Sequence, residues 1–159
     1  MDVFTLTMVV LGLALTLVIL ALIAVVTYGR LVVRNQRRLL VALRRDGIAF
    51  VCRPTLGMQI MAGFVLAVDR DAVSLWKVGP RQPVRLQSFP RNGARVAPTQ
   101  VKVNVLRTSP ALSVVSAAGE RIDVVIYPDP TGSRSAPVKD VVLDLVSEKI
   151  RASLAGTPT

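Results

Sequence analysis

From Phe4 to Tyr28 the chain runs for twenty-five residues without a charged side chain, built from Leu, Val, Ile and Ala with scattered Thr, Met and Gly. At about 1.5 Å per residue, a helix of that length covers the roughly 30 Å hydrocarbon core of a bilayer with some tilt to spare. Residues 1–28 therefore read as an N-terminal transmembrane anchor. A cleaved secretory signal is the alternative, but it wants a basic start, an apolar centre of about 7–15 residues and a small-x-small cleavage site. Here the chain opens Met1-Asp2 and the apolar run is too long. Arg30, Arg34, Arg37, Arg38, Arg44 and Arg45 crowd directly behind the run, while only Asp2 precedes it. The positive-inside rule then gives a single-pass cell-membrane protein, N-terminus outside and C-terminal domain in the cytoplasm.

Roughly 110 residues remain beyond the juxtamembrane stretch, enough for one small domain with one core and too few for two. The apolar fraction of 52% is inflated by the membrane segment, but the remainder is still rich in Val, Leu and Ile, so it should fold. One cysteine, Cys52, excludes an internal disulfide, and a chain with no histidine lacks the commonest metal ligand and general base. In the apolar context Phe50-Val51-Cys52 the thiol reads as structural.

The net charge of +10 is unevenly placed. Residues 30–107 carry fifteen Lys and Arg against Asp46, Asp69 and Asp71, a balance of +12, whereas residues 108–159 balance at −1. The basic half lies nearer the membrane segment, which fits an anionic inner leaflet. Nucleic acid competes as a partner for any basic protein, but no binding motif is present and aromatic residues make up only 4% of the chain, too few for stacking platforms. No nucleic-acid partner is expected.

Residues 29–47 have no proline and are rich in Leu and Arg, so the helix should continue into the cytoplasm. At 100° per residue the six arginines fall within about 120° of arc, with Val32, Val33, Gln36, Leu39, Leu40 and Leu43 opposite them. This is a basic amphipathic juxtamembrane helix, its apolar face available to the domain or a partner and its arginines candidates for the lipid surface. Asp46-Gly47 ends it, with Gly47 suited to a left-handed cap.

Beyond Gly47 the apolar period changes to alternation, with turn residues about every 8–12 positions, the pattern of an antiparallel sheet. Seven short strands are expected, over residues 48–53, 63–69, 72–78, 83–89, 101–107, 111–117 and 121–127, each with one face in the core and one wet. Pro128 to Pro137 reads as a surface loop, Val138 to Leu154 as a helix burying Val138, Val141, Val142, Leu145, Val146 and Ile150, and residues 156–159 as a tail.

The order of seven strands and a closing helix over residues 48–155 resembles the pleckstrin-homology-like (PH-like) and GRAM-like group. The run Gly63-Phe64-Val65-Leu66-Ala67-Val68-Asp69-Arg70-Asp71-Ala72-Val73-Ser74-Leu75 looks like the Asp-Arg hairpin of its bacterial members. The resemblance implies a bent antiparallel sheet or partly open barrel capped by the C-terminal helix. It also implies a binding role toward phosphoinositides, peptides or proteins, with no catalytic signature. The chain departs from the lipid-binding pattern at Thr55-Leu56-Gly57-Met58-Gln59, which is uncharged.

No phosphate loop, nucleophile elbow or dinucleotide fingerprint is present, and Asp69 with Asp71 is the only close acidic pair, at a turn. No catalytic residue, cofactor or metal is expected. Between Asp71 and Glu120 there is no acid, while Lys77, Arg81, Arg85, Arg91, Arg95, Lys102 and Arg107 all occur, candidates for a protein partner or lipid headgroups. Trp76 is a core aromatic or an interface anchor. The expected function is a non-enzymatic, membrane-anchored interaction or scaffold module, an accessory subunit beside a larger membrane complex. Anionic-headgroup binding at the inner leaflet is the second reading, and an enzyme with an unfamiliar site the third.

Overall fold

A computed structural model describes residues 2–54, 63–104, 107–128 and 136–156. The expectations for the Thr55 to Gln59 loop, most of the Pro128 to Pro137 loop, residues 157–159 and the side chain of Arg107 lie outside the described residues.

Helix α1 spans Val3–Asp46 without interruption. Its first half projects from the domain, with Leu11 67% and Leu17 60% exposed, and it is long and apolar enough to cross a membrane. Gly29 does not break it, because helix formers stand on either side. From Val32 onward the helix lies against the domain and buries Val32, Gln36 and Leu40, spaced at i, i+4 and i+8. Leu39 and Leu43 pack beside them, and all six arginines stay exposed. The burial follows the arc written in the sequence.

Seven strands follow among the described residues: β1 Ile48–Pro54, β2 Gly63–Val68, β3 Ala72–Val78, β4 Val84–Pro90, β5 Arg95–Asn104, β6 Arg107–Val115 and β7 Arg121–Tyr127. All pairings are antiparallel and the sheet order is β4-β3-β2-β1-β7-β6-β5. Helix α2, Asp140–Leu154, closes the domain. It touches β2 as well as β5 and β6, strands far apart in the sheet order, so the sheet curls around it. One core contains Phe64, Leu66, Leu75, Leu112, Val124, Ile126, Leu143 and Ile150 inside that curl. A second lies on the outer face of β1 to β3, where Ala49, Val51, Val65, Ala67 and Val78 meet Leu40 of α1.

The second core corrects the expectation of one wet face per strand. In β1, β2 and β3 both faces are covered, which is why β2 reads Gly-Phe-Val-Leu-Ala-Val with hardly a break in its apolar run. The alternation holds better in β7, where Ile122, Val124 and Ile126 face inward.

β1, β2 and β4 differ from the expected bounds by one residue at one or both ends, while β5 and β6 differ more, ending at Asn104 and Val115 rather than 107 and 117. β5 starts at Arg95 rather than 101, and β6 at Arg107 rather than 111. Both longer strands contain a proline, which costs the sheet little here. Pro98 sits on the sheet's outermost strand, and Pro110 precedes Leu112, where the described pairing of β6 with β7 begins, so neither removes a bond between two inner strands. Gly47 is not left-handed: φ is −177°, ordinary extended backbone. What requires glycine is space, since a Cβ there would stand 2.2 Å from the carbonyl oxygen of Val68. Left-handed glycines lie elsewhere, at Gly93, Gly119 and Gly156; Gly119, φ +86°, is in the turn between β6 and β7, where Ser116 Oγ accepts the Glu120 N–H at 3.0 Å.

α2 buries Leu143, Ser147 and Ile150, with Val146 and Leu154 partly covered. Val141, Val142 and Leu145, assigned inward by the sequence pattern, are 74%, 44% and 62% exposed. The inward seam is turned by about 100°, one residue's rotation, from the expected stripe. The helix is pinned from outside itself: Val138 N–H donates to Ile126 O at 3.1 Å, Arg151 Nε donates to Val96 O at 3.3 Å, and Arg91 donates to the Ser153 carbonyl.

Candidate membrane-proximal basic surface

α1 and β2 run side by side in the same direction. Gln36 abuts Gly63 at the start of β2 and donates through Nε2 to Phe64 O at 3.0 Å. Gly47 abuts Val68 at its end. The spans agree: eleven helical residues and five strand steps each cover about 16 Å. Asn35 Nδ2 lies 3.0–3.1 Å from the carbonyl oxygens of Gly79, Pro80 and Arg81, pinning the β3–β4 hairpin to the helix. Arg44 Nε donates to Ala49 O at 3.1 Å, tying down the other end. The domain is thus held at a fixed height and rotation on α1.

This mounting sorts the basic candidates. Arg30 and Arg34 are exposed on the helix just beyond the apolar run, and Arg81 is exposed on the pinned hairpin. Arg37 and Arg38 lie farther down, and Arg44 and Arg45 are at the opposite end, beside Gly47. The sheet candidates do not form one cluster. Lys77 is half-buried, Arg85 stands 5.9 Å over the Trp76 ring, and Arg91 bridges the Arg70 and Ser153 carbonyls at the distal end. Arg95 lines a shallow cleft between β5 and α2 with Arg151, and Lys102 is exposed near the end of β5. Trp76 is half-buried against the outer core and donates to Ser74 Oγ at 2.9 Å.

Asn35 was not singled out by sequence reasoning. It falls between the two arcs of the amphipathic helix, and its partners are carbonyls more than forty residues away, so no local pattern marks it. Gln36 did carry a signal: an amide on the apolar face of a helix needs a partner wherever that face is buried.

Asp69 accepts the backbone N–H groups of Asp71 and Ala72 through Oδ1, at 2.9 and 2.6 Å, which is turn chemistry. Among the described residues no group of three acidic, histidine or cysteine side chains is placed to hold a metal. Cys52 is buried in the inner core, and desolvation pushes its thiol well above its ordinary range. The sign follows from linkage. The folded state holds the proton more firmly than the unfolded chain, so this stabilisation is complete below the unfolded value of about 8.5 and declines above it, by at most about 1.4 kcal/mol per pH unit. Urea melts from pH 7 to 10 should show that decline, and Cys52→Val should reduce it.

No family model, curated protein or solved structure matches the chain.

Proposed function

We propose that this chain is a non-enzymatic, membrane-anchored interaction module: a single span, N-terminus outside, carrying a PH-like domain on the cytoplasmic side of the cell membrane as an accessory subunit of a larger membrane complex. The observation that carries this reading is α1. Its exposed apolar half passes without a break into a half whose apolar face is docked on the sheet, so anything that fixes the first half in a bilayer presents the domain rigidly. The arginines behind the span supply the orientation. The PH-like part of the reading rests on the seven-strand order and the closing α2, with which that fold is compatible.

Two measurements test it. The chain should stay with membranes through carbonate washing, and should co-purify in mild detergent with a stoichiometric membrane-protein partner. Release by carbonate would contradict the anchor, and repeated recovery alone would contradict the accessory role.

A further inference from the structure

We infer that Arg30, Arg34 and Arg81 form one basic rim, built from α1 and from the hairpin that Asn35 pins to it, and that this rim binds the phosphates of anionic phospholipid headgroups. The inference rests on the proposed anchoring and adds which residues meet the lipid.

The helix serves as a ruler. Tyr28 is the last side chain before Gly29 and the first arginine, Arg30. Counting about 1.5 Å per residue, Arg30 lies roughly 3 Å past it, Arg34 roughly 9 Å, and the level of Asn35 roughly 10 Å. A headgroup layer is about 5–8 Å thick, and screening in physiological salt acts over about 8 Å. Arg30 and Arg34 therefore fall in or beside the headgroups. Asn35 holds the Arg81 carbonyl oxygen at 3.1 Å, which places the backbone of Arg81 within one screening length of that layer.

Arg44 and Arg45 lie about 24–26 Å past Tyr28, more than two screening lengths beyond the headgroups. Tilting by about 40°, the upper end of the usual range, still leaves them roughly 12 Å away. The docked apolar face prevents the helix from rolling down onto the bilayer, because Val32, Gln36 and Leu40 would have to leave the sheet. Of the basic residues in the hairpin, Arg81 is the one in the segment Asn35 grips, and it is exposed. The site thus joins positions about fifty apart in sequence through one side-chain amide.

The test uses the full-length protein in lipid nanodiscs and its single tryptophan, Trp76, as energy donor. Discs of phosphatidylcholine with phosphatidylserine carry a trace of dansyl label on one lipid or the other. Wild type should transfer more efficiently to labelled phosphatidylserine than to labelled phosphatidylcholine, and salt should reduce the difference. Arg81→Gln, and Arg30→Gln with Arg34→Gln, should each lower the preference roughly twofold or more in low salt. Asn35→Ala should act like Arg81→Gln, because it frees the hairpin while leaving the charge. Arg45→Gln, exposed at the far end of the helix, should change nothing. Equal transfer to both lipids in wild type, or a loss from Arg45→Gln as large as from Arg81→Gln, would overturn the rim while leaving the anchor intact. Failure of the chain to enter the discs would overturn the anchor and the rim with it.

Discussion

Replacing Ile150 with Ala should lower the stability of the domain by about 2–5 kcal/mol, while Leu145→Ala should stay within about 0.5 kcal/mol of wild type. Ile150 is 0% exposed and stands in the inner core with Phe64, Leu66 and Leu112, so its deletion leaves a cavity in the space that α2 closes. Leu145 is 62% exposed on the same helix, and truncating it removes little buried surface. Chemical denaturation followed by circular dichroism, with the protein held in one detergent, measures both. Equal losses for the two variants would mean that α2 sits in the rotation the sequence pattern alone suggests.

The second large effect is at the outer core. Leu40→Asp should detach the lower half of α1 from the sheet at a cost of roughly 3–5 kcal/mol, since it puts an unpaired charge where 2% of the side chain is exposed. Val41→Asp, one residue on and 60% exposed, should be nearly silent. Limited trypsin digestion reads the difference, because Arg37, Arg38, Arg44 and Arg45 supply cleavage sites along the docked segment. Rapid cutting there is expected in Leu40→Asp alone. Equal protection in both variants would mean that the helix is held by something other than this face.

The legible and illegible parts of this chain divide along physical lines. The docked face of α1 could be read because its arginines occupy one arc and its apolar residues the opposite one, leaving a single way to pack. α2 offered no such choice: Val138, Val141, Val142, Leu145, Val146 and Ile150 form one stripe, while Leu143, Val146, Ser147, Ile150 and Leu154 form another about 100° away. The bonds that select between them run to Ile126, Val96 and Arg91, all distant in sequence. Strand positions were readable from alternation to within a residue except in β5 and β6, which start earlier and end earlier than expected, since a proline such as Pro98 or Pro110 is tolerated or not according to the strand order. The candidate surface was legible only as an excess of charge. Which arginines share a level depends on Asn35 and the hairpin carbonyls, a contact between residues with no local pattern to announce it.

In the proposed arrangement one helix, α1, both crosses the bilayer and carries the domain on its docked face. A nitroxide scan along residues 4–46 of the full-length chain in phospholipid bilayers tests it directly, with collision rates measured against oxygen and against a water-soluble nickel chelate. Residues 4–28 should be open to oxygen and closed to nickel, with the crossover near Gly29. From there the nickel signal should oscillate with a period of about 3.6 residues, with minima at Val32, Gln36 and Leu40 and maxima on the arginine arc. Nickel access throughout residues 4–28, or no oscillation between 32 and 43, would contradict the account.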